Sequence, residues 1–145
     1  MNQFELHPQL AADSHFVADL PLCQLRLIDD SQFPWLILVP RKAAVKEIID
    51  LSWQEQQQLW WESAWLSQRL QQSFRPTKLN VAALGNMVSQ LHLHHVARFE
   101  GDAAWPAPIW GKQPMQRYTA EALQARLDIC LQWSTEPLLR HDLPA

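Results

Sequence analysis

The stretch Ser89–Arg98, reading SQLHLHHVAR, constrains this chain more than any other, because three of the chain's six histidines fall within four of its residues. Polar and apolar residues alternate there with a period of two, the period of a β-strand. Gln90, His92 and His94 are therefore expected on one face, and Leu91, Leu93 and His95 on the other. On a helix positions 90, 92 and 94 would spread around the axis and share no face. The leucines predict a buried back and the polar row a front that opens on a cleft. Neutral imidazole serves as a nucleophile, a base or a metal ligand. Two imidazoles two residues apart on a strand suit one phosphoryl group or one metal ion. The bland alternative is a pair of half-exposed histidines on an edge strand, but the linked Gln-x-His-x-His pattern favours function.

The remainder of the chain bounds what that cleft serves. At 145 residues the length fits a single domain, 1–145, with its motif-bearing core at about 22–98 and a C-terminal loop and helix over 99–145. Net charge is −3 and no basic run occurs, which argues against a nucleic-acid polymer as partner while leaving room for a free nucleotide. Cys23 and Cys130 form no CxxC motif and are expected as buried, reduced thiols of a cytoplasmic protein. The N-terminus shows neither a basic nor an apolar leader region, and no run of 18 apolar residues exists, so neither a signal peptide nor a membrane partner is expected. Eight tryptophans imply broad apolar faces, some in a cleft or a subunit interface.

Pro8 suits the first turn of a short helix. His7 and His15 are isolated and read as ordinary surface or turn histidines. Leu22–Ile28 alternates as a half-buried strand, Asp29–Gln32 is a turn cluster, and Trp35–Val39 is a buried strand ended by Pro40, so the two strands form an antiparallel pair. Ser52 and Glu55 form a capping box ahead of a long helix that ends at Arg75-Pro76, with Leu59, Leu66, Leu70 and Phe74 as its core stripe. Trp60, Trp61 and Trp65 widen that stripe toward a second subunit. Lys78–Leu84 is expected as a strand, and Gly85-Asn86 as a tight turn into the histidine strand, which would bring Asn80, Asn86 and His92 together. Phe99–Gly111 is a stiff loop with two open readings, a lid or wall of the cleft, or a loop whose tryptophans plug the core edge. Thr119 caps a last helix with Leu123, Leu127, Cys130 and Leu131 inward, ending before Pro137, and the last eight residues are expected to fray.

Gln90-Leu91-His92-Leu93-His94-His95-Val96 resembles the histidine triad (HIT) signature, His-φ-His-φ-His-φ-φ, where φ is apolar. Asn80 with Gly85-Asn86-Met87-Val88 resembles the family's Asn…Gly-Gln-x-Val lead-in, and Arg98 falls where many members carry Pro-Arg. Leu27-Ile28-Asp29 followed by Trp35–Lys42 resembles its nucleoside-binding strand pair. The resemblance implies an α+β, HIT-like fold of about five antiparallel strands and two main helices, paired as a homodimer with a continuous sheet. It also implies a hydrolase or transferase acting at a nucleotide α-phosphate, on dinucleoside polyphosphates such as diadenosine polyphosphate or on nucleoside phosphoramidates. His92 would be the nucleophile that forms a nucleotidyl-histidine, and His94 the donor to phosphate or bridging oxygen. Gln90 would hold the first triad position, Asp29 the ribose, and Asn86, with Asn80 beside it, the phosphate. No resident cofactor is implied, and any divalent metal such as magnesium would arrive with the substrate.

The sequence departs from the family pattern at Gln90, where imidazole is replaced by an amide that does not titrate. It departs again at Pro34-Trp35, where the family has Gly-His, at Met87, and at His95, which sits in an apolar position. Two other classes stay open. One is a nucleotide-binding relative without turnover. The other is a metal site built on His92, His94 and His95, which a regular strand opposes by turning His95 away.

Overall fold

The computed structural model describes residues 3–133, so the expectations of fraying over the last eight residues and of a helix end near Pro137 lie outside the described residues. The elements run α1 Pro8–Asp13, β1 Ser14–Asp19, β2 Cys23–Ile28, β3 Trp35–Pro40, a single 3-10 turn Ile48–Asp50, α2 Trp53–Phe74, β4 Lys78–Ala82, β5 Leu93–Arg98 and α3 Ala120–Leu131. The strands form one antiparallel sheet in the order β1-β2-β3-β5-β4. This is the expected α+β architecture, with α1 as a third, short helix. Among the described residues no helix is long and apolar enough to cross a membrane.

The two faces of the sheet are covered differently. Behind it, Leu25, Leu27, Leu36, Leu38 and Leu93 pack with Leu59, Trp65, Leu66 and Leu70 of α2 and with Cys130 of α3 in the largest apolar cluster. The capping box forms as expected: the Ser52 hydroxyl accepts from Glu55 N–H at 3.1 Å, and the Glu55 carboxylate accepts from Ser52 N–H at 2.8 Å. Arg75, the residue before Pro76, ends α2 in the left-handed region at φ 51°. Both cysteines are free and buried. Trp60, 53% exposed, faces solvent, and so does Leu131, which was expected inside: it is one position past Cys130 and has turned off the buried stripe of α3.

In front, the sheet carries two smaller clusters. Ile28, Ile37 and Val39 pack with Leu10 and Val88, and Val96 packs with Phe33, Ala104 and Ile109. The gap between them is where the cleft opens. Two expectations are corrected here. The histidine strand begins at Leu93, not Ser89, and Gly85-Asn86 is no hairpin turn: residues 83–92 form a longer loop between β4 and β5. Gly85 takes φ +81°, and a Cβ there would stand 3.2 Å from the Val88 carbonyl oxygen, so the loop folds back closely on itself.

Candidate active site

β5 and β3 set the site's floor. Trp35 pairs with Val96 and Ile37 with His94, so Trp35 and His94 are diagonal neighbours on one face. His92 precedes the strand, and its Nδ1 lies 2.7 Å from the Gln90 carbonyl oxygen. A carbonyl only accepts, so in the neutral ring Nδ1 carries the proton and Nε2 the lone pair. His94 is the complement. Its Nδ1 accepts from the Trp35 indole N–H at 2.9 Å, so the neutral ring carries its proton on Nε2. The two rings stand edge to face with centroids 4.8 Å apart, and Trp110 closes on His94 at 5.3 Å. Burial, then the neighbouring His92 and His95, push the His94 imidazolium down to about 3. One ring thus offers a lone pair and its neighbour an N–H.

The cleft above them has a volume of about 460 Å³ and is lined by both histidines, Trp35, Trp110, Asn86 and Asp30 among others; none of its lining residues is Lys or Arg. Any phosphate bound there would meet neutral N–H donors. In the loop after β5, Trp110 both lines the cleft and packs against the cluster at the sheet edge, while Trp105 belongs to neither. Ala104 and Ile109 plug the sheet edge, while Trp110, Gly111, Gln113 and Met115 form a cleft wall.

Three expected site residues lie elsewhere. Gln90 does not line the cleft with the histidines: its Oε1 accepts from His7 N–H at 2.9 Å and its Nε2 donates to the Glu5 carbonyl at 2.8 Å, so the amide ties down the N-terminal segment. Its contribution to the site is the backbone carbonyl that orients His92. Asp29 is engaged away from the cleft by Arg117 Nη1 at 2.8 Å and Tyr118 N–H at 3.1 Å, with His15 Nε2 at 3.3 Å. Burial pushes its carboxyl up, but those hydrogen bonds outweigh it and the net shift is downward. His15 thus has a carboxylate partner, and His7 caps α1 by accepting from Gln9 N–H at 3.0 Å. Asn80 accepts from Arg98 Nη1 at 2.8 Å and lines a separate depression with Pro106 and Pro108.

Asp30 is the residue the sequence reading missed. It lines the cleft and accepts from Gln32 through Oδ1 alone. No spacing rule places it: β2 ends at Ile28, and the Asp30 N–H bonds back to the Ile28 carbonyl at 2.8 Å, a turn that breaks the strand's alternation. Arg98, buried at 1% exposure, holds the Trp-bearing loop. Its guanidinium is bidentate to Asp102 at 2.8 and 3.1 Å and donates to the Ala107 carbonyl at 2.9 Å. Burial pushes the Asp102 carboxyl up, yet Arg98 and the Phe99 and Ala104 N–H groups bring it down to about 2. On the other side of β5, His95 is buried with both nitrogens used, Nδ1 toward the Leu93 carbonyl at 3.1 Å and Nε2 toward the Ser63 hydroxyl at 2.7 Å. Among the described residues no three His, Cys, Asp or Glu side chains are grouped to hold a metal.

A HIT domain model matches residues 9–101. This chain belongs to the histidine triad family. A histidine triad protein from Marinobacter aquaeolei VT8 is 49% identical over 94% of this chain and 99% of its own, with a TM-score of 0.89. One from Bradyrhizobium japonicum is 41% identical over 91% and 98%, with a TM-score of 0.88. One from Sinorhizobium meliloti 1021 is 37% identical over 90% and 97%, with a TM-score of 0.87. No curated protein matches the chain. Membership supports a nucleotide-binding, hydrolase-type function for this histidine triad chain.

Proposed function

We propose that this protein is a nucleotide hydrolase acting at an α-phosphate through a covalent nucleotidyl-histidine. The observation that carries the reading is the pairing of a lone pair on His92 Nε2 with an N–H on His94 Nε2 across one cleft. His92 Nε2 forms the bond to phosphorus, and the leaving group departs with the electron pair of the bond it loses. Water then bonds to phosphorus and gives up a proton to solvent, the N–P bond breaks with its electron pair returning to Nε2, and a nucleoside monophosphate leaves. One difficult displacement becomes two easier ones. His94 donates to a non-bridging oxygen as charge builds on it. Asn86 adds a neutral phosphate donor, and Asp30 takes the ribose-binding role that Asp29, bound to Arg117, does not fill. Dinucleoside polyphosphates and nucleoside phosphoramidates are the candidate substrate classes. We further propose a cytoplasmic homodimer joined along β4, which is an edge strand and exposes Val81.

Product analysis tests the hydrolase reading. The protein, and His92→Ala beside it, are incubated with diadenosine tetraphosphate and with an adenosine phosphoramidate, with and without chelator. Release of adenosine monophosphate that His92→Ala abolishes is the expected result. Nucleotide binding without release would replace the hydrolase by a binding protein, the outcome that the changes at Gln90 and Trp35 make worth testing.

A further inference from the structure

Set against the pattern that the sequence resembles, Trp35 at first sight only removes an imidazole from the cleft. The contacts say more. An indole N–H donates and never accepts. Its bond to His94 Nδ1, at 2.9 Å, fills the one site on that ring where an extra proton would have to go. Protonating Nδ1 would set N–H against N–H, and no carboxylate among the described residues pairs with His94 to offset it. The rings packed around it are Trp35, Trp110 and the His92 imidazole, His95 lies behind the strand, and Asp13 and Asp30 line the same cleft without bonding to His94. The depressed basicity of His94 agrees with this geometry. A neutral imidazole whose second nitrogen is blocked donates a hydrogen bond from Nε2, but it does not act as a general acid at neutral pH.

We propose that Trp35 is a positioning residue that holds His94 in its Nε2–H form, and that this restricts the enzyme to leaving groups that depart as stable anions. Phosphoanhydride oxygens and acidic phenolates fit; amines, which must take up a proton as the P–N bond breaks, do not. Of the two substrate classes proposed above, the polyphosphates are therefore preferred and the phosphoramidates disfavoured. The balance is simple for the preferred class. The His92 lone pair forms the N–P bond, the P–O bond breaks, the oxygen carries away the electron pair, and no proton is transferred in that step. His94 Nε2–H stays on nitrogen throughout and stabilises a non-bridging oxygen.

The leaving-group part rests on the hydrolase reading; the tautomer part does not. The first arm is therefore nitrogen-15 NMR of the imidazoles in the free protein near pH 7. The expected result is His94 with a bare Nδ1 and a protonated Nε2, and a switch to mixed tautomers in Trp35→Phe. His94 protonated on Nδ1 in the unmodified protein would overturn the proposal outright. The second arm compares two adenosine monophosphate derivatives, a 4-nitrophenyl ester and an alkylamine phosphoramidate. General acids contribute about 10²–10⁴ in rate, so the ester is expected to win in kcat/KM by on the order of 10² or more. Trp35→Phe is expected to narrow that ratio about tenfold or more by freeing Nδ1. Equal rates on both substrates, or an unchanged ratio in Trp35→Phe, overturn the leaving-group restriction. Turnover of neither substrate overturns the hydrolase reading and the restriction together, while the NMR arm still decides the Trp35–His94 contact.

Discussion

His92 and His95 are three residues apart, both are buried, and both point Nδ1 at the carbonyl of the residue two positions back, Gln90 in one case and Leu93 in the other. They differ at the far nitrogen. His95 Nε2 is closed by the Ser63 hydroxyl of α2, whereas the His92 ring lines the cleft and its Nε2 has no hydrogen-bond partner among the described residues. The same local device, an imidazole oriented by its own backbone, is therefore closed by packing on one face of the sheet and left open to a cleft on the other. What separates the roles is whether the packing layer supplies a partner for the last nitrogen. Helix α2 supplies one behind; the loops 83–92 and 99–118 leave space in front.

The sharpest way to break the comparison is to remove each ring. His92→Ala is expected to lower kcat/KM by about 10³-fold or more while leaving the melting temperature nearly unchanged. His95→Ala leaves a cavity and strands the Ser63 hydroxyl, and is expected to cost about 2–4 kcal/mol of stability with kcat/KM changed only a few-fold. Paired thermal melts and steady-state rates decide it. A His95→Ala protein that is stable but inactive would give His95 a chemical role and end the contrast.

Arg98 tests whether the front face is open by design of its cover. Replacing it by Met leaves Asp102 buried without its partner, a loss of about 3–5 kcal/mol. The loop that carries Trp110 loses its anchor at Asp102 and Ala107 at once. Stability and kcat/KM should therefore fall together, unlike in either histidine variant. Urea unfolding at matched activity measurements checks this; a stability loss with full activity would mean that Trp110 does not help form the cleft.

Much of this was legible in the sequence, because the relevant signals are local. The capping box at Ser52 and Glu55, the helix end at Arg75-Pro76 and the alternation across His92 to His95 each span only a few residues. The site's partners were not legible where they come from far along the chain. Gln90 binds the backbone of Glu5 and His7, Asp29 binds Arg117, and Asn80 binds Arg98. Each of these polar side chains matched a family position, and each was claimed by a distant partner that no spacing rule reveals. Asp30 was hidden for a local reason, since the turn that bonds its N–H to the Ile28 carbonyl breaks the alternation of β2 just before it.

Acid unfolding compares the faces through charge. Burial lowers His95 to about 4 and His94 to about 3, against about 6.5 in the unfolded chain. Above pH 6.5 both rings are neutral in both states, and stability does not depend on them. As pH falls from 6.5 toward 4, the unfolded chain takes up protons that the folded one refuses. Stability then falls by up to about 1.4 kcal/mol per pH unit per histidine, until each folded ring protonates in turn. Denaturant melts between pH 7.5 and 5 should show this fall, and His95→Gln should reduce its slope. A flat profile over that window would mean that neither ring is held neutral by the fold.

The smallest expected effect separates two neighbouring carboxylates. Asp29 and Asp30 are adjacent, and the turn that follows β2 gives them different partners. Asp29 holds Arg117 and the Tyr118 N–H at the start of α3, while Asp30 stands at the cleft with only its Oδ1 engaged by Gln32. Asp30→Asn keeps size and packing but weakens acceptance from ribose hydroxyls, so KM should rise about tenfold, equivalent to about 1.4 kcal/mol, with the melting temperature held. Asp29→Asn should do the reverse, lowering the melting temperature through loss of its charge-assisted bonds and leaving KM within a few-fold. If Asp29→Asn instead raised KM, the ribose would approach from the Arg117 side, and the cleft assigned to the histidines would have to extend past the end of β2.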